Sequence, residues 1–345
     1  MADFQAQIKA DIALNGPMRL DIFFGRCVSD YYANHHIFGA KGDFVTAPEI
    51  SQCFGEVIGA WVVARWHDLG CPAAFHLIEC GPGNGTLMAD ILRVTRHVPS
   101  FHCALRLCFI ETSPALRARQ KTAVEACSAR DVQWCDDIND MKTEYPVILI
   151  ANEFLDALSI RQIIYNNESW AERAVGVRND QLVWGYMPLL DIPHVDLFEK
   201  TKPEQGAVFE FSPRRELFVA QVKAMIAMQK GAALFVDYGH GVSDYGDTVQ
   251  AVKSHKFVDP LEYAGNADLT SHVDFEPLLR HCVGHCDFVK QTEFLQRNGI
   301  EARRDAIMKN ASTAQRDDIE KAVHRLCHED EMGTLFKVME CRWYP

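Results

Sequence analysis

Apolar residues along this chain recur first at helical spacing, then in strand-length runs separated by helices, and finally in mixed order. Ile8, Ile12 and Leu14, then Leu20, Phe23, Phe24 and Cys27, give imperfect helical periods punctuated by Gly16-Pro17. From Pro48 to Leu69 the pattern sharpens. Ile50, Phe54, Val57, Ile58, Trp61, Val62 and Trp66 fall on one side of a predicted helix. Residues 76 to about 160 alternate strand and helix, which predicts βαβ units around a parallel sheet. The predicted strands are His76–Ile78, Leu105–Ile110, Val132–Trp134 and Val147–Ala151. One helix starts near Thr86. Another follows Ser113-Pro114, where Ser113 serves as N-cap and Pro114 suits the first turn.

After residue 160 the rhythm breaks. Arg161–Tyr165, Trp170–Val177 and Gln181–Tyr186 are strand-like and separated by Asn166-Asn167 and Arg178-Asn179-Asp180, which predicts an inserted antiparallel meander. Residues 188–206 read as an irregular connection. The α/β rhythm resumes with a helix over Arg214–Gln229 and a strand over Ala232–Val236. Residues 241–268 show no periodicity and read as a second insertion. A helix over Phe275–Cys282, capped by Asp274 or Ser271, leads to strand-like Asp287–Leu295 and Leu335–Trp343, with helices near 301–311 and 315–327 between them. The class predicted is α/β, with a Rossmann-like mixed sheet ending in an antiparallel pair.

Composition narrows the picture modestly. The chain has 345 residues, 48% apolar and 24% charged, as in ordinary globular proteins, with room for one large or two medium domains. Its longest apolar runs, Pro146 to Ala151 and Ala232 to Val236, are too short to span a bilayer, so no membrane insertion is expected. A net charge of −12 argues against a nonspecific nucleic-acid binder and suits a basic protein partner. The start, Met1-Ala2-Asp3-Phe4-Gln5, resembles neither a secretory signal nor a transit peptide, which predicts a cytoplasmic, most simply bacterial, protein. Twelve cysteines lie scattered without disulfide-type spacing and read as reduced core residues. His281, Cys282, His285 and Cys286 lack a partner pair at zinc-site spacing, so no metal is expected. His35-His36 reads as a solvated pair.

The chemistry concentrates after the first strand, in Glu79-Cys80-Gly81-Pro82-Gly83-Asn84-Gly85-Thr86. Glycines there permit positive φ and let a ligand lie against bare backbone at a helix N-terminus. A phosphate loop would need Lys and Ser or Thr after its last glycine, and a dinucleotide fingerprint would space its glycines differently. Acid-x-Gly-x-Gly-x-Gly resembles the loop of class I S-adenosylmethionine (SAM) methyltransferases, with Glu79, Gly81, Pro82, Gly83, Gly85 and Thr86 as cofactor residues. Ligands of open α/β sheets bind outside the carboxyl ends of the strands. Glu111, with Thr112, ends the second strand and suits the two ribose hydroxyls. Asp136 or Asp137 ends the third and suits the adenine amine, a solvated carboxylate or helix cap being the competing reading.

The fourth strand ends in Asn152-Glu153-Phe154-Leu155-Asp156, where the methyl donor would point. Asn152 suits both cofactor and acceptor, and Glu153 and Asp156 can converge on a cation. An arginine acceptor stays protonated at physiological pH, so a pair of carboxylates must hold it and aim one nitrogen at the methyl group. An N-cap is the competing role for Asp156. Asp43, Thr46 and Glu49 lie in the glycine-rich stretch 39–49, which is expected to cover the glycine loop and bear on substrate. Tyr238 and His240, ending the fifth strand, are expected to face the same cleft, a plain packing role competing.

Gly42 to Gln52 with Phe54-Gly55-Glu56 resembles the signature of the MidA family of SAM-dependent methyltransferases, whose mitochondrial member assists assembly of respiratory complex I. Glu79 to Leu87, Asn152 to Leu158, Phe235 to His240, Ala267 to Phe275, Thr292 to Leu295 and Met332 to Val338 extend the resemblance from about residue 16 to 340. It implies a class I methyltransferase fold, with an N-terminal helical cap over residues 1–75 and a SAM domain over 76–345 carrying insertions at about 161–206 and 241–270. By analogy it implies symmetric dimethylation of an arginine in a complex I core subunit. A SAM-binding assembly chaperone and a small-molecule methyltransferase are the alternatives. Cys80, Asn84, Ser159 and the stretch Ser29 to His36 depart from the family's usual residues. The oligomeric state stays open, a homodimer being among the states compatible with the sequence.

Overall fold

Seven strands, with the two-residue strand Val273–Asp274 as an eighth off their path, form the central sheet, and its inner members are near-continuous apolar runs, as expected for strands covered on both faces. The seven are β1 (Phe75–Cys80), β2 (Leu105–Ile110), β3 (Val132–Cys135), β4 (Val147–Asn152), β5 (Gly231–His240), β6 (His285–Lys290) and β7 (Phe336–Trp343). The structure, a computed structural model, describes residues 4–34, 46–127, 131–189, 203–280 and 284–343. Asp43, the pair His35-His36, His281 and Cys282 lie outside the described residues.

The strand order is β6-β7-β5-β4-β1-β2-β3. β1 pairs in parallel with both β2 and β4, and β7 runs antiparallel to β5 and β6. This is the class I SAM methyltransferase sheet, with its antiparallel last strands. Chain direction through the sheet reverses between β1 and β4, the switch point at which such folds bind ligands. Every residue of β1 and of β4 is buried. Apolar side chains fill both sides, Leu77, Phe109 and Leu234 in one layer and Ile78, Leu149 and Phe235 in the other.

The helix Gln52–Asp68 is buried over more than the single stripe its spacing suggested, because it is sandwiched against the helix Thr86–Thr95. Two glycines allow the close crossing. A Cβ on Gly55 would stand 2.6 Å from Asp90 Cβ, and one on Gly59 2.5 Å from Val94 Cγ1. Where the helices meet, Arg93 and Arg303 both donate to the buried Glu56 carboxylate.

The meander forms as expected, over Arg161–Asn166, Ser169–Arg178 and Gln181–Pro188, with Val208–Phe211 as a further strand. Met18–Arg19 adds to it, so the helices Phe4–Asn15 and Leu20–Asn34 pack with the insertions. Ile8, Phe23 and Phe24 share a core with Ile160, Val175, Ala251 and Leu269. The stretch 241–268 proves ordered. Gln250–Lys253, Lys256–Val258 and Asp268–Thr270 make a small antiparallel sheet. Its strands are too short to leave a periodicity. The strand-like reading of Asp287–Leu295 is also corrected: β6 ends at Lys290, and Gln291–Arg297 is helical, with Gln291 Nε2 donating to Leu326 O at 2.9 Å.

Candidate active site

A cavity of about 580 Å³ opens outside the carboxyl ends of β1 to β4. The glycine loop forms its floor. Gly81, Gly83 and Gly85 all take positive φ, which an L side chain rarely adopts. Space excludes side chains as well, since a Cβ on Gly81 would meet Phe154 at 2.7 Å and one on Gly85 the Gln120 backbone at 3.2 Å. Gly81 N–H donates to Ile110 O, and Gly85 N–H to Pro82 O, which fixes the loop between β1 and its helix.

Gln120 supports this wall and was not singled out in the sequence. Fully buried, it donates from Nε2 to Gly83 O at 2.9 Å and to Glu111 Oε2 at 3.0 Å, while its Oε1 accepts from Trp134 Nε1 at 2.9 Å. One side chain thus ties the glycine loop to the acid expected at the ribose. Ser113 N–H donates to Glu111 Oε1 at 2.8 Å, and Ser113 caps the helix Pro114–Glu125 as its position predicted. Burial pushes the Glu111 carboxyl up, against these hydrogen bonds, which favour its charged form. Pro82, Thr86, Thr112, Asp136 and Asp137 also line the cavity. Asp136 accepts from Arg117 at 2.6 Å. Asp137 caps the turn Ile138–Asp140, and the Asn139 N–H holds its carboxyl below the usual range.

Two polar atoms in this wall are buried without a hydrogen-bond partner among the described residues: Glu79 Oε2 and Asn152 Oδ1. Burial pushes the Glu79 carboxyl well up. Leaving such groups unmet costs about 1–3 kcal/mol each, so their position in a cavity wall fits a polar, cationic ligand.

The turn after β4 forms the other end. Glu153 sits at a φ of 49°, strained for a non-glycine residue, and its N–H donates to Val236 O at 2.8 Å. Asp237, at 0% exposure, accepts at Oδ2 from the N–H groups of Phe154, Leu155 and Asp156, and at Oδ1 from its neighbour Tyr238. Arg215 holds the same turn from its carbonyl side. It donates to Leu155 O at 2.7 Å, Asp156 O at 3.1 Å, His272 O at 2.7 Å and Ser271 Oγ at 2.7 Å. A buried anion and a buried cation therefore hold the backbone of the turn; the Arg215 charge also acts on Asp156, and Glu153 Oε1 accepts from Asn152 Nδ2 at 3.1 Å. Burial raises Glu153 to about 7 and Asp156 to about 6. Neither Asp237 nor Arg215 was singled out as functional in the sequence; only their distant partners give them meaning.

The N-terminal segment closes over this end. Ala47 N–H donates to Glu153 Oε1 at 2.8 Å, and Glu49 Oε1 accepts from Thr86 Oγ1 at 2.7 Å and Asn84 Nδ2 at 3.2 Å. Thr46 and Glu49 line the cavity together with Asn152 and Glu153. Asp156 does not line it, although its charge is felt at Glu153. Tyr238 and His240 do not line it either, which corrects their expected position. β5 runs on to His240 and pairs there with Val273–Asp274, so both side chains turn toward the insertions. Tyr238 Oη donates to Thr270 Oγ1 at 2.5 Å and its ring packs on His272 and Phe336, while His240 Nε2 stands 3.8 Å from Asp274.

Sheet order, glycine loop, a buried strand-end acid and unpartnered wall atoms together define a class I SAM-dependent methyltransferase. A family model described as a putative S-adenosyl-L-methionine-dependent methyltransferase matches residues 57–292, and the chain belongs to this family, in agreement with the MidA resemblance. It is 32% identical over 368 residues to the mitochondrial Protein arginine methyltransferase NDUFAF7 homolog of Drosophila melanogaster, covering 96% of this chain and 83% of the relative. The human mitochondrial Protein arginine methyltransferase NDUFAF7 is 31% identical, with coverage of 89% and 75%. A crystal structure of a likely methyl transferase from Burkholderia thailandensis, bound to S-adenosyl-homocysteine, superposes with a TM-score of 0.84 at 25% identity, covering 98% of this chain and 91% of that one. The cytoplasmic location expected from the N-terminal residues is contradicted by the two arginine methyltransferases, both of which are mitochondrial proteins. Among the described residues no helix is long and apolar enough to cross a membrane.

Proposed function

We propose that this enzyme methylates an arginine side chain of a protein. The carrying observation is Glu153, half-buried in the cavity wall without an ion-pair partner among the described residues, with Asp156 buried on the same turn. A carboxylate in a cavity wall without an ion-pair partner favours a cationic ligand. A guanidinium is such a ligand, and its planar fork suits carboxylate oxygens. The names of the mitochondrial relatives support the same acceptor.

When bound, SAM supplies an electrophilic methyl group; the C–S bond breaks as the new C–N bond forms. This chain's residues do the rest. Glu111, Glu79 and the glycine loop hold the donor, with Pro82, Thr86, Thr112, Asp136 and Asp137 around it. Glu153 orients the acceptor nitrogen and takes the proton it loses, a task suited to a group titrating at about 7. Asp156 adds negative potential behind it, and Asn152 fixes the nitrogen through its open carbonyl oxygen. Thr46 and Glu49 close the chamber from above. The finer reading, symmetric dimethylation of an arginine in a complex I core subunit, is supported by the family resemblance.

Incubation of the protein with methyl-labelled SAM and a mitochondrial extract, followed by peptide mass spectrometry, tests the proposal. The expected result is label on arginine. Label on lysine, on a carboxyl group or on a free small molecule would overturn it, as would no label despite tight S-adenosyl-homocysteine binding.

A further inference from the structure

The donor accounts for the cavity wall at the ends of β1 to β3, but much of the opposite wall comes from one helix. Gly25, Val28, Ser29, Tyr32 and Ala33 of Leu20–Asn34 all line the cavity. Their spacing of three and four places them on one face. Gly25, Ser29 and Ala33 are small and exposed, and a Cβ on Gly25 would meet nothing within 4 Å. Across the cavity run Ala157, Leu158 and Ser159, which continue the turn that carries Glu153 and Asp156. The open carbonyl oxygen of Asn152, a residue only 8% exposed, lies in the same wall.

We infer that the Gly25–Ser29–Ala33 face is the channel by which the acceptor side chain reaches the methyl group, and that Tyr32 at its inner end is a specificity-determining residue selecting a flat, delocalised cation. This rests on the arginine reading above. The small side chains of Gly25, Ser29 and Ala33 leave room there for an aliphatic stem. Tyr32 is held in place: its hydroxyl donates to Asp268 Oδ1 at 3.4 Å, and Tyr31, fully buried, meets its ring edge-on at 5.5 Å. Burial, then the Asp268 and Asp156 carboxylates, push the Tyr32 phenol well up. It therefore stays neutral, and the residue lines the cavity. A planar guanidinium can stack on a tyrosine ring, whereas a lysine ammonium is a compact, strongly hydrated point charge. Asp268 belongs to the small inserted sheet, so both insertion and N-terminal helix shape acceptor choice.

The test uses the full chain loaded with S-adenosyl-homocysteine and titrated calorimetrically at millimolar concentration with N-acetyl-arginine amide and N-acetyl-lysine amide. The expected preference for the arginine probe is about tenfold. Ser29→Trp and, separately, Gly25→Leu should weaken that probe about tenfold while S-adenosyl-homocysteine binding holds, which reports that both variants are folded. Tyr32→Leu should bring the two probes within about twofold of each other. Undiminished arginine binding in both channel variants would overturn the channel while leaving the arginine reading intact. A wild-type preference for lysine, blocked by Ser29→Trp, would overturn the role of Tyr32 and the arginine reading together. Absence of binding by either probe would overturn the whole inference.

Discussion

The two ends of the cavity are built by opposite means. At the donor end the chain is locally self-sufficient: three glycines, a strand-end acid and a helix N-terminus lie within short stretches, and Gln120 ties them together. At the acceptor end little is local. The turn 153–156 depends on Asp237 from β5, Arg215 from the helix Pro213–Gln229, Ser271 from the second insertion and Ala47 from the N-terminal segment. The donor end leaves Glu79 Oε2 and Asn152 Oδ1 buried without a hydrogen-bond partner among the described residues. The acceptor end satisfies its backbone so completely that two carboxylates are left exposed to each other's field. A common cofactor can be held by local sequence, whereas acceptor choice draws on the whole chain.

Separating the two ends by mutation is the sharpest way to break this comparison. Glu153→Gln should lower kcat on the order of 10²–10⁴-fold while S-adenosyl-homocysteine affinity stays within about threefold. A matched loss of affinity in calorimetry would show that the two ends are one unit. Gln120→Leu should do the reverse. It leaves Gly83 O, Glu111 Oε2 and Trp134 Nε1 without their partner, and should weaken S-adenosyl-homocysteine about tenfold to a hundredfold with kcat at saturating SAM nearly unchanged.

Titration gives the next effect. Glu153 must be ionised to accept a proton, so kcat/KM should fall about tenfold per pH unit below about 7 and level off above it. The same raised value means the folded state binds this proton more tightly than the unfolded chain does. Stability from this group is therefore full below pH 4.5 and is lost as pH rises toward about 7. Glu153→Gln should accordingly be more stable than wild type at pH 8 by about 1 kcal/mol or more, with the gap closing at pH 4, as thermal melts would report. The smallest effect belongs to the closing segment. Glu49→Gln retains an acceptor for Thr86 Oγ1 and should raise the KM for SAM only about twofold to threefold.

The same contrast governs what the sequence reveals. The boundaries of β2 and β4, the Ser113 cap and the meander are legible because period, N-cap chemistry and turn residues act over a few positions. Glu79, Glu111 and Glu153 are legible because a carboxylate at a strand end in an α/β pattern already points at the cleft. Gln120 looks like any helical glutamine until its partners, 37 and 9 residues away, are known. Arg215 reads as a surface helix residue, since nothing local announces carbonyls 56 to 60 residues distant. Tyr238 and His240 mislead for the related reason that β5 extends beyond its apolar run to pair with Val273–Asp274, a contact with no local sign.

The most direct test of the central claim is a crystal structure of the protein with S-adenosyl-homocysteine. The account predicts the ribose hydroxyls on Glu111 and the sulfur facing Asn152 and Glu153, with the Gly25–Ser29–Ala33 face open beyond it. A ribose held away from Glu111, or a sulfur directed toward Asp136 and Asp137, would contradict it.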